Sequence, residues 1–230
     1  MRLLSKRRLP AIIGLLAGTG LLVLALPHTM AAMLLALSTQ RYDYIDNPNT
    51  TDATIDDLYD TTMDAIGWVP TSQAWTRIGY IEMERAKRAA TPDGAREDYL
   101  KANQAFTNAL TISPMDTYSW VRLTFTRLKT GGIADGSAVE ALRMSLLTGP
   151  YERNIAVTQI SYAITLWSQL SPSEQKDIRE KIRWIDTLEH RDLVHLAKRD
   201  LETIGITVEA MSTAPEKRFT QFIRDINKPD

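Results

Sequence analysis

Histidine and cysteine, which often act as bases, nucleophiles or metal ligands, are scarce in this sequence, which has three histidines and no cysteine. Disulfides, thiolate metal sites and cysteine nucleophiles are therefore excluded. His190 and His195 lie five positions apart, close to Glu189 and Asp192. On a helix this spacing places the two imidazoles on different faces, so we expect surface histidines, and a metal site is the alternative.

Two pairs of neighbouring carboxylates have the composition of a general acid and base: Glu82 with Glu84, and Glu97 with Asp98. Nothing in the sequence places either pair in the apolar surroundings that raise a carboxyl pKa, so we expect solvated charges. The sequence also contains no phosphate-binding loop, dinucleotide fingerprint, G-x-S-x-G elbow or H-E-x-x-H helix. It therefore predicts a protein that is not an enzyme and that binds no cofactor or metal.

Five tryptophans make carbohydrate binding a further alternative, because aromatic rings form flat apolar platforms. Trp75 and Trp120 fit a packing pattern described below. For Trp68, Trp167 and Trp184 we expect core positions, and the carbohydrate alternative stays open.

The composition is that of a globular protein, with 44% hydrophobic and 24% charged residues in 230 positions. The formal net charge is -1. Since no global positive field exists to hold a phosphate backbone, a nucleic-acid partner is excluded.

The N-terminal region contains a long apolar run, residues 9–37, without a charged side chain. Because about 20 apolar residues are enough for a transmembrane helix, we expect residues 9–37 to contact the lipid bilayer. The basic residues before the run are Arg2, Lys6, Arg7 and Arg8, and only Arg41 follows before Arg77. Since positive residues remain in the cytoplasm, the sequence predicts a single-pass protein of the bacterial inner membrane with a cytoplasmic N-terminus and a periplasmic C-terminal domain.

A cleaved secretory signal is the alternative for this run. Its apolar region should span only about 7–15 residues and end in a small-x-small site, to which residues 30–32 are a poor match. The run is also longer than a hydrocarbon core of about 30 Å requires. We therefore expect residues 27–29, Pro-His-Thr, to mark a kink or the point of exit from the membrane.

An acidic zone follows, because the positions between Tyr42 and Trp75 hold seven aspartates and no basic residue. Four of them recur every fourth position and form one stripe on a helix: Asp52, Asp56, Asp60 and Asp64. The stripe is predicted to be a solvated face. The alternative is a docking strip for a basic partner or a divalent cation, since like charges at this spacing reduce helix stability.

Beyond residue 70 the sequence predicts helices of about 12–19 residues separated by short turns. The predicted breaks fall at residues 91–94, 113–114, 131–132, 149–150 and 171–172. Residues 171–174 have the pattern of a capping box, and residues 113–116 repeat the scheme. Residues 154–173 carry no charge but are too polar for a second membrane span, so a buried helix is expected.

Small, aromatic and proline residues recur at fixed spacings along these helices. Trp75, Ile78 and Gly79 begin the pattern, Ala102, Phe106, Ala109 and Pro114 continue it, Trp120 and Leu123 restart it, and Ala138, Leu142, Ser145 and Pro150 close it. The pattern resembles the tetratricopeptide-repeat family over about residues 70–188. It departs from the family because Trp75 and Trp120 are 45 positions apart, more than the repeat of about 34 residues, and Thr124 stands where a glycine is expected.

The resemblance implies an all-α solenoid of two to three repeats with a concave groove that binds a protein partner. The groove residues that it implies are Tyr80, Met83, Tyr118, Val121, Phe125, Leu128 and Lys129. Only Lys129 matches the family's clamp for peptide carboxylates, so we expect an apolar groove suited to an amphipathic helix from a partner or from this chain's C-terminus. The apolar stripe Phe219, Phe222, Ile223 and Ile226 is predicted to cap the last repeat.

The sequence thus predicts four segments: a basic tip and transmembrane anchor (1–38), an acidic juxtamembrane linker with a short helix (39–70), the helical repeats (71–188) and capping helices (189–230). The favoured function is a non-enzymatic adaptor that holds membrane or envelope proteins. Residues 146–152 also resemble a stretch of bacterial repeat proteins associated with exopolysaccharide production, which implies polysaccharide assembly or export. The alternatives are an accessory subunit of a respiratory or secretion complex and a hydrolase of envelope glycans.

Overall fold

The computed structural model describes residues 9–228, and in this part of the chain it contains eleven α-helices, one short 3-10 helix and no strand. The all-α fold class is confirmed. The helices are α1 (Leu9–Tyr42), α2 (Asp52–Trp68), α3 (Ser72–Arg88), α4 (Pro92–Ile112), α5 (Thr117–Gly131), α6 (Ser137–Thr148), α7 (Arg153–Thr165), α8 (Pro172–Asp186), α9 (His190–Ala197), α10 (Leu201–Met211) and α11 (Glu216–Ile226), and the 3-10 helix is Trp167–Gln169. The chain divides into two compact units, one ending at Asp98 and the other beginning at Tyr99.

Helix α1 is a single helix of 34 residues with Pro27 inside it. Proline removes one backbone donor, but the helix continues past it to Tyr42. The side chain of Thr29 donates to the carbonyl of Ala25 at 3.0 Å, so polar groups beside the proline bond to the helix itself. The chain therefore does not leave the helix at residues 27–29.

The first unit packs the C-terminal part of α1 against α2, and α2 against α3. Small residues allow the close approach of these helices, since Ala31, Ala65 and Ala74 are buried in one cluster together with Leu35. A second cluster joins Ile45, which follows α1, to buried residues of α2 and α3: Ile55, Leu58 and Ile81. The apolar sequence of α1 thus continues into a packed helical core.

The second unit has one main core cluster, to which α6–α11 contribute buried side chains. Helix α5 packs against α6, and α7 packs against α8. Helix α5 also contacts α7, and α7 contacts α9. Phe222 of α11 is fully buried in this cluster, with Phe219 and Ile226 partly buried beside it. The C-terminal apolar stripe therefore packs against the core of its own unit.

The turn signals identified the helix ends, with one error. Ser171 and Glu174 form the predicted capping box at the start of α8. Ser113, however, caps no helix, because its backbone amide still donates to Ala109 and extends the last turn of α4. The N-cap of α5 is Asp116, whose carboxylate accepts the amide of Tyr118 at 3.1 Å.

Candidate functional site

Helix α1 exposes most of its apolar side chains. Among the described residues it is the one helix long and apolar enough to cross a membrane, judged by length and composition, with a mean hydropathy of 2.0. Leu15, Leu22 and Leu24 are each at least two-thirds exposed. The basic residues on which the orientation rests, Arg2, Lys6, Arg7 and Arg8, lie outside the described residues.

Arg77 of α3 forms hydrogen bonds with residues near the C-terminal end of α1. The side chain is 6% exposed, and its guanidinium donates to the carbonyl of Leu35 at 2.7 Å, to Ser38 Oγ at 3.1 Å and to Thr39 Oγ1 at 2.9 Å. It also lies 4.8 Å from the ring centroid of Tyr42, a cation–π distance. Burial lowers the pKa of Arg77. We call these residues the Arg77 contact.

The acidic stripe of α2 is divided between internal ion pairs and solvent. Asp56 accepts from Arg85 of α3 at 2.7 Å, and Asp52 lies 3.7 Å from Arg88. Asp60 and Asp64 are exposed and have no ion-pair partner among the described residues. Half of the predicted stripe thus belongs to the α2–α3 contact.

Two residues of the first unit, Tyr80 and Met83, were predicted to line the repeat groove, and both pack within that unit. Met83 is 8% exposed. Tyr80 is half-buried, and its ring forms an edge contact with Tyr42 at 6.0 Å between centroids.

The five groove residues of the second unit all belong to α5. Val121 is buried, and Leu128 packs partly buried on the core cluster. Phe125 lies between two tyrosine rings, at 5.7 Å from Tyr99 and 6.4 Å from Tyr162 of α7. Burial raises the pKa of Tyr162 to about 12.

The remaining two groove residues are more exposed. Tyr118 is 37% exposed, and its hydroxyl donates to Glu152 at 3.2 Å and accepts from Asn154 of α7 at 3.3 Å. The ammonium of Lys129 lies 5.5 Å from the ring centroid of Phe125. The sequence analysis missed the contributions of α7, because the repeat register was extended only to the first two units.

The expectation of solvated carboxylates is wrong for Glu82 and Glu84, which are 2% and 4% exposed. Each forms an ion pair three residues onward, with Arg85 and Lys87. The helical spacing places these cations over the buried carboxylates. Glu97, of the second pair, is exposed as expected.

His190 is not a solvated surface residue. It bridges α8 and α11: Nδ1 lies 2.6 Å from Asp186 and Nε2 lies 3.1 Å from Asp225. Arg218 of α11 forms a further ion pair with Asp186 at 3.1 Å. His195 is exposed, and the described residues contain no cluster of three or more His, Asp or Glu side chains that could hold a metal ion.

A concavity in the second unit lies between α6 and α8, and we call it the α6–α8 groove. Its volume is about 680 Å³. Helix α6 and the turn after it contribute Leu146, Leu147, Pro150 and Tyr151, and α8 contributes Ile178 and Trp184. Leu147 and Tyr151 are 73% and 70% exposed, so the rim presents large apolar side chains to solvent.

Some charged residues of the groove form ion pairs or hydrogen bonds within the protein, and others do not. Arg143 donates to Glu174 at 2.7 Å, and this bond lowers the pKa of Glu174 to about 2. Burial lowers the pKa of Lys181 to about 8. The ammonium of Lys181 donates to the carbonyl of Pro150 and lies 5.7 Å from the ring centroid of Trp184. Asp177 is exposed, with no ion-pair partner among the described residues.

No known protein family, curated protein sequence or solved structure matched this chain.

The α6–α8 groove combines apolar side chains with a few charged ones. Its apolar side chains supply contact area, and its carboxylates are either paired, as Glu174 is with Arg143, or exposed to solvent. This groove was not among the predicted sites. A signal was present in residues 146–151, where Leu147 and Tyr151 are large apolar residues beside a helix break.

Proposed function

We propose that this protein is a non-enzymatic, membrane-anchored adaptor of the bacterial inner membrane. Residues 9–37 contact the bilayer, the N-terminus lies in the cytoplasm, and the helical domain binds a protein partner of an envelope assembly in the periplasm. The resemblance of residues 146–152 suggests polysaccharide assembly or export as its context.

The observation that carries the proposal is the continuity of α1. One helix provides both the exposed apolar segment and core residues of the first unit, including Ala31 and Leu35, which are 2% and 5% exposed. A leader peptide is dispensable to the mature fold, whereas here Ala31 is part of the core on the N-terminal side of the candidate cleavage site near Met33. This favours an uncleaved anchor over a secretory signal.

The helix contacts of the second unit support the repeat interpretation. Helices α5 and α6, and α7 and α8, pack as pairs, and the first helices of the two pairs contact each other. Tetratricopeptide arrays stack in this manner, with first helices adjacent along the concave side. Tyr118, Phe125 and Lys129 on α5 are then the groove residues that we propose for partner contact.

Three measurements test the proposal. A C-terminal reporter should be active only in the periplasm, the mature N-terminus should be uncleaved, and purification in mild detergent should recover stoichiometric protein partners. A reporter active only in the cytoplasm would contradict the orientation. A mature N-terminus near Met33 would contradict the anchor.

An accessory subunit of a larger inner-membrane complex is the second candidate, and one feature favours it. Gly14 and Gly18 lie one turn apart on α1 beside a shallow concavity, and no atom lies within 4 Å of a Cβ placed on either. Small residues at this spacing permit close helix packing in membranes. If Gly14→Leu abolishes partner recovery while a Tyr118 variant does not, the membrane helix is the contact.

A hydrolase of envelope glycans has less support. Glu82 and Glu84 are buried and form ion pairs with Arg85 and Lys87, so neither carboxylate is presented to a substrate.

A further inference from the structure

The α6–α8 groove has the form of a helix-binding channel. On α8 the groove is lined at positions 174, 177, 178, 180, 181 and 184, and all of these except 180 share one face of the helix. Positions 174 and 184 are ten residue steps apart, which corresponds to about 15 Å at about 1.5 Å per residue. A channel of this length, with apolar side chains from α6 as its other wall, matches two to three turns of a third helix.

We propose that the α6–α8 groove binds an amphipathic helix of a partner protein whose apolar face is flanked by Lys or Arg. This inference rests on the proposed adaptor function and deepens it by naming the surface and the chemistry of the partner.

The apolar face of the partner helix is inferred from exposed apolar side chains of the groove. Leu147 and Tyr151 both line the groove and are mostly exposed, which leaves large apolar surface in water. Covering them with a partner's apolar side chains removes this surface from solvent, which favours binding.

The Lys or Arg residues expected on the partner helix are inferred from groove carboxylates that have no close ion-pair partner. Arg143 is already bonded to Glu174 and Glu140, and the ammonium of Lys181 is buried against Pro150. Asp177 is unpaired within the described residues, and Glu180 has only Lys176 at 4.0 Å. The accessible charge of the groove is therefore negative, which selects a positively charged partner surface.

A sugar fits the groove less well, although Trp184 and Tyr151 are aromatic. The two rings meet edge to face, with an interplanar angle of 74° and 5.3 Å between centroids. The ammonium of Lys181 already lies against the Trp184 ring. The aromatic pair thus forms a folded wall rather than the flat platform that stacks on a sugar ring.

The test uses the full-length protein in native membranes with the photo-crosslinker p-benzoylphenylalanine in place of Leu147. The matched control carries it in place of Leu201, which is 87% exposed on α10 and lies outside the groove. We expect an adduct at position 147 and none at 201. Mass spectrometry of the adduct should identify a peptide with apolar residues at helical spacing and Lys or Arg beside them.

Charge reversal provides the second measurement. Asp177→Lys should reduce recovery of the cross-linked partner about tenfold, because like charges then face each other. A compensating Lys→Glu change in the identified peptide should restore it. Glu202→Lys, on the exposed start of α10, is the matched control and should change nothing.

The two proposals fail in different ways. An acidic or non-helical peptide, a lipid or a glycan at position 147, or no adduct there, overturns the groove proposal. If the crosslinker at Tyr118 captures a partner in that case, the adaptor function stands. If mild-detergent purification recovers no partner at all, both proposals are overturned.

Discussion

In two places a single polar side chain near a helix end bonds to acceptors on other helices. Arg77 does so at the end of α1, and His190 does so between α8 and α11. In both cases a group that can carry positive charge lies among acceptors from another helix, which makes the contact directional as well as attractive. Substitution of such a residue should therefore affect one junction more than the rest of the fold.

The Arg77→Met variant tests the first junction. It retains apolar bulk but loses the bonds to Leu35, Ser38 and Thr39. We expect the free energy of unfolding to fall by about 1–3 kcal/mol, the range for hydrogen bonds from a charged donor. Thermal melts in detergent measure the effect. Arg191→Met, at an exposed position of α9, is the control, and an equal change in both variants would contradict the importance of the Arg77 contact.

Lys181 gives a pH-dependent prediction. Burial lowers its pKa to about 8 from the ordinary 10.5, so between these values the unfolded chain binds more protons than the folded one. The contribution of Lys181 to stability therefore rises with pH from about 8 to 10.5 and is constant below that window. In Lys181→Met this rise should disappear, and stability at pH 7 should increase relative to the wild type.

Chemical denaturation at pH 7, 9 and 10.5 measures this effect. Lys176→Met on the exposed face of α8 is the control, which should keep the wild-type pH profile. If Lys181→Met keeps the rise in stability between pH 8 and 10.5, the rise does not come from Lys181. The ammonium would then be solvated, which would contradict its burial in the α6–α8 groove.

At the scale of elements, α11 is a short helix held by one apolar anchor and a polar bridge. Phe222 is fully buried in the core cluster, and its ring forms an edge contact with His190 at 6.3 Å. Eleven residues are too few for a stable isolated helix, so its order depends on this packing.

The Phe222→Ala variant should destabilise the second unit by about 3–5 kcal/mol, as expected when a fully buried aromatic side chain leaves a cavity. The amide protons of α11 should lose protection before those of α8. Hydrogen exchange followed by mass spectrometry measures both effects. Phe219→Ala removes a partly buried ring from the same helix and serves as the control. Equal losses in the two variants would argue against Phe222 as the anchor.

The sequence predicted the elements better than their environments. Proline and glycine act locally on the backbone, so the predicted breaks near residues 91, 131, 149 and 171 separate helices in the structure. Burial depends on neighbours distant in the chain. Glu82 and Glu84 are charged residues that the sequence predicts to be solvated, yet tertiary packing buries them beside their ion-pair partners.

For the candidate site, too, the sequence predicted the positions of residues on a helix but not their contacts with other helices. The repeat register located Tyr118 and Phe125 on one helix, but their contacts with Asn154 and Tyr162 required the position of α7. The signal in residues 146–151 could not by itself reveal the α6–α8 groove, because the lining of the groove comes from two helices that are separate in sequence. Exposure of Leu147 becomes informative only once Ile178 and Trp184 are seen beside it.

At the scale of the whole molecule, α1 contributes to both the proposed membrane contact and the core of the first unit. Its two parts should therefore differ in their tolerance of deletion. A fragment that begins at His28 retains Ala31 and Leu35, whereas a fragment that begins at Asp43 loses both, together with the partners of Arg77.

We expect the longer fragment to remain soluble and to unfold cooperatively. The shorter one should be less stable by about 3 kcal/mol or more, since loss of one buried Leu alone costs about 2–5 kcal/mol. Size-exclusion chromatography and thermal melts distinguish the two fragments. Similar melting temperatures would show that α1 adds nothing to the fold and would favour the cleaved-signal alternative.

The unbroken helix also has a mechanical consequence for the proposed anchor. Thirty-four residues extend about 51 Å, whereas a hydrocarbon core is about 30 Å thick, so α1 is a rod that emerges directly into α2 and α3. Because Ala31, Leu35 and the Arg77 contact join the C-terminal part of the rod to α2 and α3, a tilt of that part turns the first unit with it. The unit therefore behaves as the arm of a lever, and a change in bilayer thickness that tilts the rod would swing that arm sideways across the membrane surface.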